Sequence, residues 1–210
     1  MKVWYDTEFW EQGNQHPIVP ISYGFVREDG QELYLIDEAA PLAEIANQHD
    51  WLRENVLPHL PVHVERRPAG DYYVVEWDED HPDIDAVVSP GRIRHMIEGF
   101  LTSTPDLELW AWYSAYDHVV LAQTFGTMSE MPKGIPYYTN DLRQLIPGDV
   151  RVPVRKAETE HDALADALWA RQVHEWWEAQ KSSPGGQSVT GSNVGGSVTQ
   201  IHGVKGDLSL

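Results

Sequence analysis

The stretch KVWYDTEFWE, residues 2–11, sets two acids inside a run of core-type residues. Val3, Trp4, Tyr5, Phe9 and Trp10 read as a β-strand, yet Asp6 and Glu8 stand in its middle. A carboxylate buried without a proton, hydrogen bonds or a cation is costly. The fold must therefore expose one face of this strand or bring partners to it. Side chains at i and i+2 of a strand share a face, so Asp6 and Glu8 converge and can share a hard cation. Taken alone, the pair also fits a strand edge with one solvated face.

The rest of the chain predicts an α/β layer architecture. Residues 18–37, IVPISYGFVREDGQELYLID, read as two strands joined at Glu28-Asp29-Gly30, where Asp-Gly favours a hairpin. With the first strand they make three antiparallel neighbours. Residues 40–58 show apolar positions at helical spacing. Residues 59–90 hold a short strand, Tyr72 to Trp77, and the acidic run DEDHPDID, which lacks the glycine and final glutamate of an EF-hand and reads as a solvated loop. A helix follows Ser89-Pro90, then the apolar strand LELWAWYSA (107–115), a helix over YDHVVLAQTFG, and a short helical segment in PYYTNDLRQLI. The last helix, TEHDALADALWARQVHEWW (159–177), carries Thr159 and Asp162 as a capping pair.

Hydrophobic residues at 41% and aromatics at 10% support a packed core rather than disorder. No cysteine is present, which excludes disulfide and thiolate chemistry and fits a cytoplasmic location. No apolar run is long enough to span a bilayer. The net charge of −18, from 33 acids against 15 bases, argues against nucleic-acid binding through a basic surface. Divalent ions held by clustered carboxylates can invert that field locally.

Two further acids and one histidine carry chemistry only in combination. Asp117 lies just past a buried-type strand at a helix entry, where it would face a ligand crevice or serve as an N-cap. His161 and Asp166, in HDALAD, are about 140° apart on an ideal helix and converge only if His161 sits at a loosened helix entry. Separately, they also read as a solvated first-turn residue and a polar position beside an alanine-rich face.

In order and spacing, YDTEF, ELWAWYSAYDHVVL and HDALADA resemble the three motifs of the DEDDh family of 3′-to-5′ exonucleases. Within that family the chain is similar to the RNase T-like branch and its actinobacterial polyadenylate-specific exoribonucleases. LPHLP, SYGFVREDG and YTNDLRQL are also similar to segments of that branch. The resemblance covers roughly residues 1–178 and is poorest over 63–88, which reads as an insertion. Many DEDD enzymes follow the first-motif glutamate with Thr-Thr-Gly, where this chain has Phe9-Trp10-Glu11.

The resemblance implies a ribonuclease H-like fold with a mixed five-stranded sheet flanked by helices, in a domain over residues 1–180. It implies two Mg²⁺ or Mn²⁺ ions held by Asp6, Glu8, Asp117 and Asp166, with His161 as general base. It also implies RNA 3′ ends as substrate, poly(A)-like tails among them, nucleoside 5′-monophosphates as products, and a homodimer. A DNA or short-oligoribonucleotide exonuclease, and an inactive nuclease-fold scaffold, remain as alternatives. Phe9 and Trp10 follow the acidic strand and either stack on a terminal base or fill the core. Arg151 and Arg155, with Lys156, form the basic stretch nearest the last helix, either as a phosphate-steering loop or as a solvated one.

From Ser182 the composition changes to Gly, Ser, Val and Thr, with only Lys205 and Asp207 charged. Residues 181–187 read as a linker. Residues 188–210 alternate β-branched and small residues and are similar to short RHIM-like amyloid-signalling motifs, which implies a partner that pairs by β-stacking; a disordered tail is the alternative.

Overall fold

The structure is a computed structural model that describes residues 1–14 and 16–182. The reading of 188–210 as an assembly motif lies outside the described residues. The central sheet is built on strand β1 (Lys2–Trp10), which pairs antiparallel with β2 (Val19–Arg27), itself antiparallel to β3 (Glu32–Asp37). The turn between β2 and β3 follows the Asp-Gly signal. Gly30 takes φ +91°, a left-handed conformation open to glycine, and Asp29 accepts from Gln31 N–H at 3.1 Å.

After β3 come two short helices, α1 (Leu42–Gln48) and α2 (Asp50–Asn55), and then a separate hairpin of β4 (Val62–Arg67) and β5 (Tyr72–Trp77). The chain returns to the main sheet through β6 (Val87–Val88), helix α3 (Pro90–Thr102) and strand β7 (Glu108–Ala111). It ends with α4 (Ala115–Phe125), β8 (Asn140–Asp141), α5 (Leu142–Leu145) and α6 (Ala163–Ser182). The order across the sheet is β6-β3-β2-β1-β7-β8, with β6, β7 and β8 each parallel to a neighbour. This mixed α/β arrangement is consistent with a ribonuclease H-like fold. It has six strands rather than the five that the resemblance implies, and two of the six, β6 and β8, are two-residue pairings that hydrophobic patterning does not mark.

The sheet's two faces carry different layers. Val3 and Tyr5 of β1 pack with Phe25, with Ile93, Ile97 and Leu101 of α3, and with Val120, Leu121 and Phe125 of α4. On the other face, Trp4 packs with Leu142 and Ala170, while Trp10 packs with Ile21, Leu42, Ile45 and Leu52. Each large side chain buried in these layers contributes roughly 1.5–3 kcal/mol, which offsets the cost of grouping acids at one end of the sheet. No helix among the described residues is long and apolar enough to cross a membrane.

One glycine sets the approach of α6. A Cβ on Gly24 would clash with the backbone of Ala163 and Leu164, where α6 begins. Gly24 is also the cross-strand partner of Asp6. The bare backbone of β2 thus lets the start of α6 lie directly beside Asp6. A glycine inside a strand often marks such a close approach.

Candidate active site

β1 runs further than its neighbour. β7 pairs only with Lys2–Trp4, so β1 is open on that side from Tyr5 onward. Asp117, in the first turn of α4, takes the place of the missing strand: its Oδ1 accepts the Thr7 backbone N–H at 3.0 Å and the Thr7 hydroxyl at 2.7 Å. The N-cap position of α4 belongs to Ser114, three residues earlier, so the capping alternative for Asp117 does not hold. His118 turns away from the acids and meets Thr139 Oγ1 at 3.0 Å.

The third motif closes the site from the opposite face. α6 begins at Ala163 rather than at 159, and Asp162 caps it by accepting Ala165 N–H at 2.7 Å. His161 therefore lies outside the helix, with a left-handed φ of +72°. That turn directs its backbone N–H to Asp166 Oδ2 at 3.0 Å, across the five-residue step that a straight helix could not bridge. The His161 ring meets Glu8 Oε1 at 3.9 Å from Nδ1 and rests edge-on against Trp51 of α2, with centroids 4.7 Å apart.

Asp6, Glu8, Asp117, His161 and Asp166 all line one open cleft of about 610 Å³. Ligand atoms of Glu8, His161 and Asp166 lie within 4.8 Å of one another and could hold a cation between them. Asp166 is 3% exposed. Its Oδ2 is occupied by His161 N–H and by Arg155 Nη1 at 2.9 Å, whereas its Oδ1 is buried with no hydrogen-bond partner among the described residues.

The electrostatics follow from burial. Desolvation, then the charges of Asp117, Glu8 and Asp166, push the Asp6 carboxyl well above the usual range. Glu8 is raised by burial and then by Asp166 and Asp117. Asp117 rises to about 7 through burial, against the lowering effect of its Thr7 hydrogen bonds. Asp166 rises to about 6, again through burial, although Arg155 opposes the shift. Four such groups cannot all ionise near neutral pH without added positive charge. Burial lowers the His161 ring below its ordinary value, so it is neutral and able to accept a proton at neutral pH.

The expected substrate contacts divide. Phe9 lines the cleft and stacks on Tyr116, with centroids 5.8 Å apart and planes 9° from parallel. Trp10 does not reach the cleft: it is 5% exposed and belongs to the core under α1 and α2. Arg155 lines the cleft, but its guanidinium is engaged with Asp166 and stacked over Trp169 at 4.2 Å, so it holds an acid rather than standing free for phosphate. Arg151 is exposed and is not among the cleft residues. The structure adds Thr7, Trp51, Trp112, Tyr113, Tyr116 and Trp169 to the neighbourhood of the acids. Of the positioning features, only Gly24 had a local signal, a glycine within a strand.

No family model matches the chain. Two known proteins do, both named 3′-5′ exoribonuclease and both from Mycobacterium tuberculosis, strains CDC 1551 / Oshkosh and ATCC 25618 / H37Rv. Each is 39% identical to this chain over 171 residues, covering 80% of this chain and 87% of its own length. Identity at that level, over that share of both chains, establishes that the chain belongs to the family of these 3′-5′ exoribonucleases.

Proposed function

We propose that the chain is a metal-dependent 3′-to-5′ exoribonuclease that releases nucleoside 5′-monophosphates. In this reading Asp6, Glu8, Asp117 and Asp166 hold two divalent cations, Mg²⁺ or Mn²⁺, and His161 takes a proton from the attacking water. The observation that carries it is the convergence of four carboxylates on one cleft, Glu8, Asp117 and Asp166 buried and Asp6 half-buried, with Asp166 Oδ1 left unpartnered. An all-oxygen donor set suits hard cations. When bound, such ions supply the missing positive charge, polarise the scissile phosphate and favour ionisation of the water.

The chain's own groups arrange the rest. Thr7 fixes Asp117 through two hydrogen bonds. Arg155 and the His161 N–H hold Asp166 by one oxygen and leave the other free. His161, neutral and braced by Trp51, is positioned to accept a proton beside Glu8. The Phe9–Tyr116 pair offers an aromatic surface on which a base can stack.

A preference for poly(A)-like tails, and a homodimer, rest on the family resemblance. Both are tested by incubating labelled oligo(A), mixed-sequence RNA and single-stranded DNA with enzyme and Mn²⁺, alongside sedimentation. We expect RNA to be degraded, oligo(A) fastest. Preferential cleavage of DNA would overturn the ribonuclease assignment, and inactivity on every substrate would support the scaffold reading.

A further inference from the structure

Tyr113 has an unusual conformation that the mechanism above does not use. Its φ is +62°, in the left-handed region that bulky residues rarely occupy. Four non-glycine residues among those described have positive φ: Asp71, Asp106, Tyr113 and His161. Aspartate tolerates such turns. The two ring-bearing residues, by contrast, both line the catalytic cleft. Strained backbone of this kind clusters where function requires it. His161 is accounted for by its part in proton transfer, and Tyr113 is not.

The fold packs the Tyr113 ring only lightly, edge-on against Trp112 with centroids 5.8 Å apart. The Tyr113 side chain is 64% exposed, so burial offsets little of the strain. The turn is fastened by its neighbours: Ser114 N–H donates to Asp141 Oδ2 at 3.2 Å, and Trp112 packs edge-on against Trp169 at 4.9 Å. Glycine would satisfy this turn with less strain. What glycine would not supply is an aromatic face at the cleft.

We propose that Tyr113 is a substrate-contact residue whose ring stacks on a base of the RNA bound in the cleft. Base–aromatic stacking is indifferent to sequence, because every base has a π-face, which suits an enzyme that must accept each successive nucleotide. The proposal rests on the ribonuclease reading.

The test compares wild type, Tyr113→Gly and Tyr113→Phe in thermal melts, sedimentation and steady-state hydrolysis of 5′-labelled RNA with Mn²⁺. Tyr113→Gly should melt at or above the wild-type temperature, because strain is relieved. Its KM should rise on the order of 10-fold or more, while Tyr113→Phe, which keeps the ring, should stay within about threefold of wild type. RNAs carrying one abasic site at successive positions from the 3′ end locate the contact, since the glycine penalty should vanish at one of them. A glycine variant with wild-type KM, or a penalty that persists at every abasic position, would overturn the proposal. So would a change in association state on removing the ring, which would assign it to contact with a second copy of the chain. A wild-type protein inactive on RNA would instead refute the ribonuclease reading and take this proposal with it.

Discussion

Replacing Asp117 by Asn should stabilise the metal-free protein while abolishing its activity, and the gain should depend on pH. Burial raises the Asp117 carboxyl from 3.8 to about 7. The sign follows from linkage. Below the unfolded value the group is protonated in both states and costs nothing. As pH rises, the unfolded chain ionises first, so stability is lost progressively and the loss is complete above the folded value. At about 1.4 kcal/mol per unit of pKa, the limit is roughly 4 kcal/mol near pH 8. Asp6, Glu8 and Asp166 share the same field and can take up protons in its place, so we expect about half of that limit. Asn cannot ionise, and its Oδ1 can still accept both Thr7 hydrogen bonds. In thermal melts without divalent ions, the variant should gain roughly 4–8 °C at about pH 8, taking about 2–4 °C per kcal/mol, and only about a quarter of that at about pH 4.5. Excess Mn²⁺ should raise the wild-type midpoint more than the variant's. An Asn variant destabilised equally at both pH values would refute the reasoning, because the carboxylate would then be supporting the fold rather than straining it.

Three further outcomes follow from the packing. Gly24→Ala should destabilise by about 1–3 kcal/mol through overpacking against the start of α6, and should lower activity even where the variant is fully folded, as checked by urea titration beside RNA hydrolysis. Trp51→Ala should reduce kcat on the order of 10-fold or more by releasing the His161 ring, with little change in melting temperature because Trp51 is 47% exposed. His174 accepts the Trp4 indole N–H at Nδ1, 3.0 Å away, and burial lowers its folded-state value to about 4. Its contribution is therefore complete above the unfolded value of 6.5 and is lost as pH falls, by up to about 3 kcal/mol, so His174→Gln should flatten the acid limb of a stability–pH profile measured by urea midpoints.

Much of the site was legible in the sequence because local geometry determines it. The two-residue step between Asp6 and Glu8 puts them on one face of any strand, and the Asp-Gly turn sets β2 against β3. Trp10 shows where that reasoning stops. It shares strand parity with Glu8, but parity does not reveal where the cleft ends and the layer of α1 and α2 begins. Arg155 was legible as a base near the last helix, whereas its engagement with Asp166 depends on how the 151–156 loop folds back. The convergence of His161 with Asp166 required a left-handed residue ahead of the helix, a conformation that histidine adopts more readily than most residues but that no sequence pattern marks. The edge strands β6 and β8 were not legible, because two-residue strands are too short to carry a period.

The most direct test of the carboxylate centre follows a 5′-labelled oligoribonucleotide during incubation with Mn²⁺, comparing wild type with Asp6→Asn. We expect the wild type to produce a ladder that shortens one nucleotide at a time from the 3′ end, EDTA to stop it, and the Asn variant to leave the RNA intact. Equal shortening by the variant, shortening that survives EDTA, or internal cuts would contradict the assignment of these acids to metal-dependent 3′-end hydrolysis.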